Sequence, residues 1–89
     1  MPTQDQGKYG PLYRWLLRQD ARGVRTTSMS FKEIEALLGD TLPASARLHR
    51  AWWSNEANTR HVQAQAWMNA GWTVEEVDQA RGRVTFRRS

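Results

Sequence analysis

The chain has 89 residues, with 13 Lys+Arg against 9 Asp+Glu and a formal net charge of +4. That length holds one small domain with a modest core, much of which must come from the five tryptophans and two phenylalanines. Cysteine is absent, which excludes a disulfide scaffold, thiol chemistry and any Cys-bearing zinc site.

Residues 1–8 are polar and read as a flexible leader, and residues 9–89 as a single domain. The first helix opens behind Tyr9-Gly10, with Pro11 in its first turn, where the missing N–H costs nothing. Leu12, Trp15, Leu16 and Gln19 share one face, Tyr13 and Leu17 widen it, and Arg14 and Arg18 point outward. Gly23 is the expected left-handed stop. The stretch from Arg25 to Met29, too short for a helix and rich in Thr, predicts a short strand.

Ser30-Phe31-Lys32-Glu33 has the capping-box form, in which hydroxyl and carboxylate satisfy each other's exposed backbone N–H groups. The helix it opens carries Phe31, Ile34, Leu37 and Leu38 inward and stops at Gly39. Asp40-Thr41-Leu42 is a tight turn. Pro43 then starts a central helix running to Asn55. Its spacing turns Ala44, Leu48, Ala51 and Trp52 to the core. Arg47, Arg50 and Ser54 face solvent, with Ala46 and Trp53 beside them.

A break at residues 54–58 and a cap at Asn58 or Thr59 introduce a fourth helix. Val62, Ala66 and Ala70 line its inner side, Trp67 adds bulk, and Gly71 ends it. Trp72-Thr73-Val74 and Val84-Thr85-Phe86 alternate as the arms of a C-terminal β-hairpin, with Asp78 to Gly82 between them. The alternation slips at Glu75-Glu76-Val77, where a β-bulge would restore the inward face.

The order helix, short strand, helix, turn, helix, helix, hairpin predicts an α+β fold of winged-helix type, with an extra helix before the wing. The third helix would lie in the major groove and the hairpin would flank it. Eleven of the thirteen basic residues are arginine, which suits bidentate contacts to phosphate or guanine and follows equally from a GC-rich genome. From Gln79 to Ser89 there are four arginines and no acid. Strand alternation sends Arg83 and Arg87 outward with Thr85. There they either track a phosphate backbone or pair with Glu75 and Glu76 across the hairpin, while Arg81 and Arg88 stay available.

Trp52 and Trp53 lie 100 degrees apart on a helix, so one of them leaves the core face. Trp53 either covers the start of the fourth helix or offers a plate for a base. Asn55 either caps the helix end or reaches adenine.

Catalytic chemistry is not predicted. His49 and His61 are the only imidazoles and lack metal-ligand spacing, and no phosphate loop or nucleophile with an orienting carboxylate is present. No cofactor and no metal are expected. With no signal-peptide-like or membrane-spanning apolar run, the expected location is the cytoplasm, with no membrane partner.

Phe31-Lys32-Glu33-Ile34-Glu35-Ala36-Leu37-Leu38-Gly39, Leu42-Pro43-Ala44-Ser45-Ala46, Ala51-Trp52-Trp53-Ser54-Asn55, Gln65-Ala66-Trp67, Ala70-Gly71-Trp72 and Val84-Thr85-Phe86 form a recurring set. It resembles an uncharacterised family of small bacterial domains marked by FxEIExLLG, LPxSA, WWxN, AW, AGW and VxF. The resemblance spans residues 9 to 88. It implies a module found alone or attached to other domains, some of them nuclease-like, which suits nucleic-acid binding. It also implies that Ser45, Trp53 and Asn55 belong to a motif, and it brings no established activity.

The leading expectation is a non-enzymatic protein that binds DNA, duplex in preference to single strand. Arg47, Arg50 and Ser54 would face the groove, and Ser45 with its helix N-terminus would meet a phosphate. Arg60, Arg81, Arg83 and Arg87 would contact the flanking backbone, with Trp53 and Asn55 supplying base preference. The alternative is a protein-interaction module, such as a defence-system subunit or inhibitor, working through the same Trp/Arg surface.

Overall fold

Short-range signals set most element boundaries in the computed structural model, which describes residues 7–56 and 62–89. The leader up to residue 6, the cap at Asn58 or Thr59, Arg60 and His61 lie outside the described residues. Helix α1 runs Gly10–Ala21 with proline in its first turn, and Gly23 follows at φ +80°. It buries Leu12, Leu16 and Gln19. Strand β1 is Thr26–Ser30, one residue later than expected.

Ser30 then caps helix α2, Phe31–Leu38, through the full capping box. Its hydroxyl accepts from the Glu33 N–H at 3.0 Å, and Glu33 Oε1 accepts from the Ser30 N–H at 2.8 Å. Gly39 closes α2 in the left-handed conformation at φ 72°. Helix α4, Val62–Asn69, and strands β2, Trp72–Asp78, and β3, Arg83–Arg88, complete the chain. The strands form one antiparallel sheet in the order β1-β3-β2. The register between β2 and β3 shifts between Val74 and Glu76, which is the bulge that the slipped alternation predicts. It lets Val77 face inward with Val74 although they lie three positions apart, so that they pair with Val84 and Phe86 of β3 on the core side.

The central helix departs from expectation. Helix α3 covers only Ala44–Leu48, His49 is extended at φ −123°, ψ 114°, and a separate 3-10 turn spans Arg50–Trp53. The expected faces are kept only in part: Arg47 and Arg50 stay outside and Trp52 is half-buried against the core, but Ala44 and Ala51 are exposed. Leu48 is 71% exposed, while Ala46 and Trp53 are fully buried.

The cause lies in what each face can bury. Trp53 stacks between Phe31, at 5.2 Å and 15°, and Trp67, at 5.8 Å and 16°. An indole in that slot removes more apolar area from water than Leu48 could, and stacked rings add to the gain. Its Nε1–H also needs an acceptor. The Ala46 carbonyl supplies it at 2.8 Å, and the same oxygen accepts from Gln79 Nε2 at 3.0 Å. A continuous helix would spend that carbonyl on the Arg50 N–H. Two side-chain donors take it instead, and the helix ends.

Helix α4 keeps most of its expected inner side, with Ala66, Trp67 and Ala70 buried, and departs from it at its first turn. Val62, expected inside, is 54% exposed, and Gln63, Ala64, Ala66 and Trp67 are buried. Gln63 is affordable there because its amide donates to the Trp52 carbonyl at 3.2 Å.

Candidate nucleic-acid interface

Three of the residues expected to read bases or phosphates turn into the structure. Trp53 has no exposed surface. The Ser54 hydroxyl is buried with no hydrogen-bond partner among the described residues. Asn55, though exposed as a residue, bonds its amide inward: Nδ2 donates to the Val74 carbonyl at 2.9 Å, and Oδ1 accepts from the Val74 N–H at 2.8 Å and from Trp67 Nε1 at 2.9 Å. The side chain thus mimics a neighbouring strand for Val74 and satisfies an indole that would otherwise be stranded. The WWxN residues therefore tie the aromatic core to β2.

The arginines divide into committed and uncommitted. Arg88, expected to be available, donates to Asp20 Oδ1 at 2.8 Å and to the Gly71 carbonyl at 2.7 Å. Arg87 pairs with Glu75 at 3.3 Å, the cross-hairpin pairing weighed against a phosphate role. Arg47 donates to Glu35 Oε2 at 2.8 Å, and its guanidinium lies 5.6 Å from the Phe31 ring centre.

Glu35 is more than a partner for Arg47, because the same Oε2 accepts from the Leu42 N–H at 2.8 Å. That backbone bond, and then Arg47, hold its carboxyl below the usual glutamate range. Sequence reasoning assigned Glu35 no role, and its spacing of seven from Leu42 and twelve from Arg47 matches no repeating pattern.

What remains outward is smaller. Arg50 is exposed and has no ion pair among the described residues. Arg83 faces out between Ser30 and Asp78 in the sheet register. Arg81, in the hairpin turn, meets Asp78 only at 3.7 Å with its side chain 82% exposed. Ser45 is exposed on α3, a helix of only five residues.

Gln79 brings this set together, because its bond to Ala46 locks the hairpin turn against α3. The Gly82 carbonyl, accepting from the Phe31 N–H at 2.7 Å, locks the turn against α2 as well. A polar residue in a turn carries no sequence signal for such packing, so the contact was not foreseeable.

Among the described residues, no group of three or more His, Cys, Asp or Glu stands together as a metal-ion site. No described helix is long and apolar enough to cross a membrane. No curated protein and no solved structure matches the chain. A family does, over residues 9–89, and the chain belongs to it: the family described as Domain of unknown function (DUF7662).

Proposed function

We propose that the chain is a non-enzymatic DNA-binding module of winged-helix type that grips the phosphate backbone through Arg50, Arg81 and Arg83. The element order supports this reading, as does the antiparallel sheet that joins β1 to the hairpin. The observation that carries it is the Gln79–Ala46 hydrogen bond, which fixes an arginine-bearing turn beside an arginine-bearing helix and 3-10 segment. With the backbone under these arginines fixed, binding phosphate orders little beyond the arginine side chains themselves.

The proposed interface is narrower than the one expected from sequence, which also held Ser45, Arg47, Arg60 and Arg87. With Trp53 buried and the Asn55 amide bonded to Val74 and Trp67, the two residues expected to supply base preference are taken up in holding the fold. Binding is then dominated by phosphate contacts and is nearly independent of base sequence. Arg47 contributes only if phosphate outcompetes Glu35, so it ranks below the other three.

The test is fluorescence anisotropy with labelled duplexes of unrelated sequence across a range of salt concentrations. Wild type should bind each duplex similarly, with affinity falling steeply with salt. The Arg50→Ala/Arg81→Ala/Arg83→Ala variant should flatten the log–log salt slope by roughly 2–3. Equal binding by wild type and triple variant, or no duplex binding at low salt, would remove the proposal.

A further inference from the structure

We propose that the outer edge of β1 takes an extended, acidic–apolar peptide as an added strand. Antiparallel strands alternate between residues that exchange both backbone hydrogen bonds with their neighbour and residues that direct them away. The Arg88 N–H donates to the Arg25 carbonyl at 2.8 Å and the Phe31 N–H to the Gly82 carbonyl at 2.7 Å, so residues 25, 27, 29 and 31 face β3. Thr26, Ser28 and Ser30 therefore turn their N–H and C=O groups to the other side. The Ser28 and Thr85 hydroxyls, 2.9 Å apart, mark their pair as one of the close, non-exchanging kind. Glu33 consumes the Ser30 N–H. Thr26 and Ser28 are exposed, and among the described residues β1 is the last strand on its side of the sheet. Their backbone groups form an open template.

A groove of about 430 Å³ runs along this edge. Trp15 of α1, Ala36 and Leu37 of α2, and Thr27, Ser28 and Met29 of β1 line it. A strand paired to Thr26 and Ser28 would continue the pleat, so alternate side chains on its inner face would enter that groove. The groove thus supplies the apolar half of a strand-addition site and the edge supplies the hydrogen-bonding half.

Charge selects the occupant. Trp15 and Arg18, spaced i, i+3, share one stripe of α1, and Arg22 follows at its C-terminal end. Arg25 lies on the same side of β1 as Thr27 and Met29, by strand alternation. All three arginines are exposed, and none forms an ion pair among the described residues. They gather where β1 begins. Glu33 lines the groove where β1 ends. The site is cationic at one end and anionic at the other, so the peptide carries Asp or Glu toward Arg18, Arg22 and Arg25. A second copy fits less well, since each copy brings a charge of +4 and the same three arginines.

A phage-displayed random peptide library selected on the full chain tests the proposal. Enriched sequences should alternate β-branched or aromatic residues with polar ones and carry acids at one end. The tightest synthetic peptide should shift the amide resonances of Thr26 and Ser28 and slow their hydrogen exchange. Ala36→Glu, at an exposed position in the last turn of α2, should weaken that peptide at least about tenfold while lowering Tm only slightly, since glutamate is a little poorer than alanine in a helix and is disfavoured near its C-terminus. Arg18→Glu/Arg25→Glu should do the same.

Several results overturn the proposal: no consensus, a basic consensus, resonance shifts that spare Thr26 and Ser28, or undiminished binding by Ala36→Glu. Duplex DNA shifting those two amides and displacing the peptide would give the edge to nucleic acid instead. Concentration-dependent dimerisation through them would give it to a second copy. Because this edge shares no residue with Arg50, Arg81 and Arg83, loss of either proposal leaves the other standing.

Discussion

At the scale of single residues, the main lesson concerns polar side chains beside tryptophan. Asn55 looks from sequence like a cap or a base reader, yet it works as a connector whose three hydrogen bonds join the aromatic stack to β2. Removing it leaves the Trp67 and Val74 N–H groups without acceptors, so Asn55→Ala should cost about 2–4 kcal/mol in urea unfolding. Asn55→Asp is the sharper probe. It keeps the acceptor for both N–H groups but sets a second oxygen against the Val74 carbonyl. It should be strongly destabilised at neutral pH and regain part of the loss below about pH 4, where a protonated carboxyl donates again. Equal stability of wild type and Asn55→Ala would mean that the hydrogen bonds are replaced by water at no cost. The residue was legible as part of a motif, but its partners, twelve and nineteen positions away, were not.

At the scale of elements, signals confined to a few residues were readable and faces decided by competition were not. The capping box, the stops at Gly23 and Gly39 and the bulge after Val74 depend on backbone chemistry within one turn. The central helix depends on whether Trp53 or Leu48 wins the slot between Phe31 and Trp67. Periodicity treats the two faces alike, and only the assembled core separates them.

Helix α2 offers a test at this scale through two glutamates, Glu33 in its N-terminal cap and Glu35 bonded into the turn to α3. The Ser30 backbone N–H and then its hydroxyl hold the Glu33 carboxyl below its usual range, and the Leu42 N–H followed by Arg47 does so for Glu35. Each folded-state value lies below the unfolded one. Their stabilisation is therefore complete above about pH 4.3 and is lost as pH falls through the lowered values. Glu33→Gln/Glu35→Gln keeps the acceptors and removes the titration. A plot of urea midpoint against pH should fall less steeply on the acid side for this variant than for wild type. Parallel curves would show that neither carboxylate is linked to folding.

At the scale of the whole molecule, the three-stranded sheet is fastened to the helices at both ends of β3. At one end the hairpin turn is tied to α2 and α3 through Gly82 and Gln79. At the other, Arg88 bonds Asp20 at the end of α1 and the Gly71 carbonyl between α4 and β2. This second fastening explains the glycine at position 71 twice over. Its φ is +89°, and a Cβ there would strike the Arg88 guanidinium. Arg88→Ala removes charge-assisted bonds at a half-exposed position and should cost about 1–2 kcal/mol. It should leave the salt slope of duplex binding unchanged, which separates it from Arg50, Arg81 and Arg83. Gly71→Ala in the wild-type background must bear backbone strain and also displace the guanidinium from Asp20. In the Arg88→Ala background only the strain remains, at about 1 kcal/mol. The double variant should therefore be more stable than the sum of the single losses predicts, by about the value of the Arg88 bonds. Strict additivity in the unfolding midpoints would mean that Arg88 finds other partners at no cost, and that the sheet depends on its first fastening alone.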